Sequence, residues 1–129
     1  MSRTLLITHY AEEFLLGSIM LASCYVEGGI QQYEDVLSSC FNLVKPSHFL
    51  NADNARIYKA MQMCKQPDIL GVLIELEKNG QFQDNDRAYL RFMLDNVTTE
   101  FDLMHYAREV IGLWEGRTGK TNRRRGIAV

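Results

Sequence analysis

The stretch that most constrains the fold of this chain is AEEFLLGSIML, at residues 11–21. Within this stretch and at the residue that follows it, apolar and small residues recur at steps of three and four. They therefore share one face of an amphipathic helix. These residues are Phe14, Leu15, Gly17, Ser18, Leu21 and Ala22. A glycine inside a helix costs about 1 kcal/mol relative to alanine, so Gly17 suggests that another backbone comes close there. A core helix with one small residue explains the same pattern.

Helical spacing continues through the rest of the sequence. It predicts helices at residues 31–40, after an N-cap at Asn51 or Asp53, at residues 69–78, at residues 86–96, and from a capping box at Thr99 and Asp102 to Gly116. No segment alternates apolar and polar residues for long enough to predict a strand, and the chain contains only two prolines. We therefore predict an all-α fold, a compact bundle of about six short helices.

The size and composition of the chain indicate a single cytoplasmic domain. With 129 residues, 47% of them hydrophobic, the chain can bury one core. No apolar run approaches the roughly 18 residues that span a bilayer, and the first residues lack the features of a signal peptide, so we expect no membrane partner. Cys24, Cys40 and Cys64 have no metal-type or paired spacing and are predicted as free, mostly buried thiols.

The charge is distributed unevenly along the chain. Residues 1–116 carry 9 basic and 16 acidic side chains, a formal net charge of −7, which is a poor match for a phosphate backbone. Residues 117–129 contain no acid and five basic residues: Arg117, Lys120, Arg123, Arg124 and Arg125. Such a tail is either a solvated terminus or a weak contact for nucleic acid.

No motif in the sequence indicates catalysis, a cofactor or a metal. Residues 116–121, GRTGKT, end like a phosphate-binding loop, but Trp114 stands where that loop needs its first glycine, and a predicted helix precedes it. His9, His48 and His105 lie in separate segments without a second ligand at metal spacing. We predict these histidines as surface or capping side chains, and we expect that the chain is not an enzyme.

The last predicted helix carries an apolar stripe that no later helix can cover. Its members lie at helical spacing: Leu103, Tyr106, Ala107, Val110, Leu113 and Trp114. The stripe must either pack back on the bundle or meet another molecule, which includes a second copy of the chain.

Five short motifs follow one another within residues 11–111. They are AEE with LGSIML at 11–21, VKPSHF at 44–49, RIYKAM at 56–61, PD at 67–68 followed by Leu73, Leu76, Glu77, Lys78 and Gly80, and AYL at 88–90 followed by NVTT, YA and Val110. In this order and spacing, they resemble the N-terminal domain of the bacterial replicative DNA helicase of the DnaB type. The chain departs from the family where Asn54 replaces a usual His, His48 an acid and Gly71 a common Thr. These departures concern caps and local hydrogen bonds more than the core. They therefore affect the expected partner specificity more than the expected fold.

The resemblance implies a small helical bundle followed by the first arm of a helical hairpin. We therefore divide the chain into an N-terminal arm at residues 1–8, the helical bundle at 9–98, the hairpin-type helix at 99–116 and the basic tail at 117–129. In that family the hairpin pairs two subunits, and the pairs build a ring collar where primase docks. We therefore expect that the apolar stripe of the last helix lacks enough cover within its own chain and faces the second subunit. The second arm, the linker and the ATPase have no counterpart in this sequence, so the resemblance implies no ATP hydrolysis or unwinding by this polypeptide.

The leading hypothesis is a non-catalytic DNA-replication domain that self-associates and docks primase or a helicase loader. One alternative is a stand-alone mobile-element protein that mimics this domain and loads or inhibits the intact replicative helicase of its host. Another is a small DNA-binding accessory protein that uses the basic tail.

Overall fold

The computed structural model describes residues 3–98 and 101–120. Within these ranges the chain forms six α-helices and one short 3-10 helix, with no strand, which confirms the predicted all-α class. In chain order the helices are α1 (Arg3–Glu27), α2 (Gln32–Leu43), the 3-10 helix (Pro46–His48), α3 (Ala52–Met63), α4 (Ile69–Lys78), α5 (Asp86–Asp95) and α6 (Leu103–Thr118).

Side-chain caps fix where three of these helices begin. The Asn51 side chain accepts a hydrogen bond from the backbone of Asn54 at 3.0 Å, so Asn51 and not Asp53 caps α3. Asp68 caps α4 in the same way. Asp102 accepts from the backbone of His105 at 3.0 Å and caps α6. Thr99, the other half of the predicted capping box, lies outside the described residues.

Helix α1 is longer than predicted and lies at the centre of the bundle. It begins at Arg3, so the described part of the predicted N-terminal arm is helical. It packs against α2, α3, α5 and α6, and most of its residues between Thr8 and Ser23 are buried.

The composition of α1 corrects one expectation. By length and composition alone this helix could cross a membrane, contrary to our expectation that no stretch approaches that length. Buried core helices pass the same test, and 56% of the apolar window is buried inside the bundle.

The backbone of α5 comes close to Gly17, as the sequence suggested. A Cβ atom on Gly17 would overlap the carbonyl oxygen of Met93 and would lie 2.5 Å from Cγ2 of Val97. Because one of these neighbours is backbone, it cannot rotate away as a side chain can. Gly17 therefore sets how closely α1 and α5 pack.

The three cysteines are free, as predicted, but they differ in exposure. Cys40 is buried, Cys64 is half-buried and Cys24 is exposed, so the prediction of mostly buried thiols is wrong for Cys24. Burial raises the pKa of Cys40 to about 12 and is the main cause that raises the pKa of Cys64 to about 11. Both of these thiols therefore stay protonated at neutral pH.

Candidate interaction surface

The bundle itself covers much of the apolar stripe on α6. Leu103, Ala107 and Val110 are each at most 2% exposed. Our expectation that the stripe lacks cover within its own chain is therefore wrong for these three residues. The physical reason is that α6 lies against both α1 and α2, so its inner face completes the core.

The other members of the stripe are half-buried. The ring of Tyr106 stacks on Phe14 of α1 with 5.3 Å between ring centroids. The rings of Trp114 and His48 make an edge-to-face contact with 4.6 Å between ring centroids, and Leu113 packs partly against the core. This side of α6 keeps some exposed surface, and its role in self-association stays a prediction.

His48 joins the 3-10 helix to the end of α6. Its side chain is buried, and Nδ1 accepts a hydrogen bond from the backbone N–H of Lys45 at 3.0 Å. Burial, together with the positive charges of Lys45 and Arg117, lowers the pKa of His48 below its usual value, although Glu115 acts in the opposite direction. The histidine is therefore the capping side chain that we predicted, and the neutral form is the one that fits.

The structure describes only the first part of the basic tail. Arg117 donates a hydrogen bond from Nη2 to the carbonyl oxygen of His48 at 2.7 Å, so it helps to hold α6 on the bundle. Lys120 is exposed. Arg123, Arg124 and Arg125 lie outside the described residues, and nucleic-acid contact by the tail stays a prediction.

The apolar surface of α4 was not among the sites predicted from the sequence. This helix turns Val72 and Leu76 into the core, while Leu70 is 67% and Ile74 56% exposed on its other side. The signal was present in the sequence, because the apolar residues of ILGVLIELEK are too many for one helix face.

A groove runs between the exposed side of α4 and helix α5. Its apolar lining comes from Ile69, Leu70 and Leu73, and its charged lining from Arg87 and Arg91 on α5. The groove encloses about 650 Å³. This surface combines apolar contact area with positive charge, although residues 1–116 as a whole are acidic. Among the residues that the structure describes, it is the best candidate for a protein contact.

A buried network around Glu12 connects α1 with the start of α3. The Glu12 carboxylate is fully buried and accepts hydrogen bonds from the backbone N–H of Leu50 at 2.6 Å and of Asn51 at 3.3 Å. It also accepts from the Asn54 side chain at 2.9 Å, and the hydroxyl of Tyr89 donates to Asn54 at 2.6 Å. These bonds satisfy the carboxylate and give it a structural role.

A second polar cluster joins α3 to α5. Arg56 donates two hydrogen bonds of 2.8 Å to the Asp86 carboxylate, and a further one of 3.0 Å to the carbonyl oxygen of Gln81. The side chains of Arg56 and Asp86 are only 13% and 4% exposed. Burial alone would raise the pKa of Asp86, but hydrogen bonds from Arg56 and from the backbone of Gln83 hold it below its usual value.

The three departures from the family pattern fall at tightly packed positions. Asn54 and His48 are fully buried and hydrogen-bonded, as described above. At Gly71 a Cβ atom would overlap the carbonyl oxygen of Gln66 and lie 3.1 Å from Oδ1 of Asp68. These positions therefore do involve the cap and hydrogen bonds, but two of them also belong to the buried interior.

Within residues 3–98 and 101–120, no group of three or more His, Cys, Asp or Glu side chains could hold a metal ion. A protein-family model described as DnaB-like helicase N terminal domain matches residues 5–111 of the chain. No curated protein and no solved structure matches it.

Proposed function

The chain belongs to the DnaB-like helicase N-terminal domain family, and on that premise we propose that it is a non-catalytic interaction domain of the replication machinery. In this proposal it associates with copies of itself and docks a replication partner, primase or a helicase loader. It acts by presenting helix faces to other proteins.

The observation that carries this proposal is that several large apolar side chains are exposed on the surface of the bundle. On α1 the exposed residues are Leu5, Leu6, Ile7 and Tyr10, and on α4 they are Leu70 and Ile74. Scattered apolar residues are normal on a protein surface, but clusters on one helix typically mark contact sites.

The mechanism follows from the chemistry of these faces. Burial of apolar side chains between chains supplies most of the favourable free energy of association. Charges at the rim, such as Arg87 and Arg91 beside the α4 groove, affect association rate and partner choice more than affinity. An acidic partner surface suits that groove better than a basic one.

Two measurements on the purified chain test the proposal. Sedimentation equilibrium over about a hundredfold range of concentration should show reversible self-association. Calorimetric titration with purified primase, or with the helicase loader, from the same organism should show saturable binding. A chain that stays monomeric and binds neither protein would contradict the proposal.

The same titration distinguishes the mobile-element alternative. Binding to the intact replicative helicase, without binding to primase or loader, would favour a protein that mimics this domain to load or inhibit the helicase of its host. Salt-sensitive binding to a DNA duplex that is lost when Lys120, Arg123, Arg124 and Arg125 are replaced by alanine would favour the DNA-binding alternative.

A further inference from the structure

The last turns of α6 are attached to the bundle partly through His48 of the 3-10 helix. The rings of His48 and Trp114 are in edge contact, and Arg117 donates to the carbonyl oxygen of His48 at 2.7 Å. The earlier turns of α6 are anchored in the core, but none of residues 112–118 is buried. The position of these last turns therefore depends on few contacts, and His48 makes two of them.

The hydrogen bond that His48 accepts requires a neutral ring. Nδ1 accepts from the backbone N–H of Lys45 at 3.0 Å, and this bond caps the 3-10 helix. A protonated imidazole carries a hydrogen on both ring nitrogens and has no acceptor left. In every orientation, the charged ring therefore leaves the Lys45 N–H without this partner.

The surroundings of the ring also oppose a positive charge. His48 is only 1% exposed. Among the described residues, three charged side chains influence the pKa of the ring: Lys45 before the 3-10 helix, and Glu115 and Arg117 on α6. Burial acts most strongly, and the two cations add to its effect. Glu115 acts in the opposite direction without reversing it, so the pKa is lowered. Protonation therefore favours a state in which the ring has left this site for water.

We propose that His48 is a pH-sensitive switch whose protonation releases residues 113–118 of α6 from the 3-10 helix. When the charged ring moves into water, Trp114 loses the side chain on which its ring packs. Repulsion between the imidazolium and the guanidinium of Arg117 weakens the second contact. Ala107 and Val110 stay in the core, so the release ends near the middle of the helix.

The release changes the surface of the domain. Leu113 and Trp114 are half-buried in the neutral form and become accessible when the last turns leave the bundle. Short helical segments without tertiary packing are marginal in water, so these turns fray and no longer fix the direction in which the chain continues. This property belongs to the isolated chain and does not depend on the proposed function.

The fluorescence of Trp114 tests the release directly, because it is the only tryptophan in the sequence. Between about pH 8 and pH 5, we expect the emission maximum to move to longer wavelength and the acrylamide quenching constant to rise by at least about twofold. The midpoint should lie below about 6.5, the ordinary histidine pKa, and above the range in which ordinary carboxylates titrate. Far-UV circular dichroism should show that most of the helix content remains.

Three histidine variants assign the transition. His48→Asn supplies an amide oxygen as acceptor but does not titrate, so the fluorescence of Trp114 should no longer depend on pH. His105→Asn is the matched control, because His105 lies on the same helix but is exposed. His9→Asn is a second control, because His9 pairs with Glu13 on α1 at 3.0 Å. Both controls should keep the transition of the unmodified chain.

Hydrogen exchange of the unmodified chain locates the change without any substitution. After correction for the intrinsic effect of pH on exchange, the amides of residues 114–118 should lose protection by at least about tenfold between about pH 7.5 and pH 5.5. The amides of residues 107–111 should keep their protection, because the first half of α6 stays in the core.

Three results would overturn this inference. The first is that neither the exposure of Trp114 nor the protection of residues 114–118 changes with pH. The second is that the transition persists in His48→Asn. The third is that all helices lose protection together, because the pH then acts on the whole domain and not on the end of α6. None of these results affects partner binding at neutral pH, so the proposed function is decided by its own measurements.

Discussion

Replacing Gly17 by alanine tests whether the contact between α1 and α5 limits how the bundle packs. Alanine is the better helix former, by about 1 kcal/mol in a helix interior, so a helix without a close neighbour would gain stability. At Gly17, however, the new methyl group overlaps the Met93 carbonyl oxygen and lies 2.5 Å from a methyl carbon of Val97. The helix backbones must separate or bend to admit it.

The magnitude follows from these two opposing effects. Inserting a methyl group into a filled core costs typically about 1–3 kcal/mol, and the neighbour here includes backbone, which places the cost in the upper half of that range. After the gain in helix propensity is subtracted, we expect Gly17→Ala to lower the free energy of unfolding by about 1–2 kcal/mol. For a domain of this length that corresponds to a fall in melting temperature of very roughly 3–8 °C.

Gly112 provides the matched control, because it also lies inside a helix but a Cβ atom there would meet nothing within 4 Å. Gly112→Ala should therefore raise the free energy of unfolding by up to about 1 kcal/mol. Both variants can be measured by urea unfolding, followed by circular dichroism. If Gly17→Ala is as stable as the unmodified chain, or if both variants shift in the same direction, the reasoning from the close contact is refuted.

Two further predictions concern buried titratable groups. Asp86→Asn should destabilise the domain by about 2–3 kcal/mol, because it leaves the largely buried Arg56 without its charged partner. Asp95→Asn is the control, because Asp95 pairs with Arg91 and these side chains are 63% and 68% exposed. It should change stability by less than about 0.5 kcal/mol. Because the pKa of Asp86 is lowered on folding, its contribution to stability is present above the ordinary aspartate pKa of about 4 and is lost as the pH falls below that value. As the pH falls through this range, the urea midpoint should therefore fall less in Asp86→Asn than in the unmodified chain. An equal fall in both would contradict this prediction. The pKa of His48 is also lowered on folding, so the unfolded chain binds the proton more readily, and stability should decrease as the pH falls through and below about 6.5. His48→Asn should remove this part of the pH dependence in the same urea series, and a slope that persists would assign it to another group.

The helices of this fold were largely predictable from the sequence, because their apolar spacing and their caps are local features. The span predicted for α4 agrees with the structure at both ends, where Asp68 accepts from the first turn and Asn79 and Gly80 follow the last. The close approach at Gly17 was also signalled locally, by a glycine where a helix would otherwise disfavour one.

The surfaces were harder to predict, because cover depends on contacts that are distant in sequence. The stripe on α6 was expected to be open, yet Phe14 and His48, which lie far from it along the chain, pack on Tyr106 and Trp114. The opposite holds for the outer side of α4. Its apolar residues fit the pattern of a core helix, but Leu70 and Ile74 are exposed in the structure. Periodicity identifies which residues share a face, but only the tertiary arrangement decides which faces remain uncovered.

The packing of α1 against α6 has a consequence for synthesis on the ribosome. The first helix to be made is the longest and lies at the centre of the core, and the last described helix packs against it. Translation proceeds at about 5–20 residues per second. The side of α1 that is buried in the folded domain therefore stays uncovered for several seconds, until α6 has been translated and can pack against it. During that time the nascent chain exposes a long apolar segment of the kind that chaperones bind, and a truncation that removes α6 leaves this segment exposed.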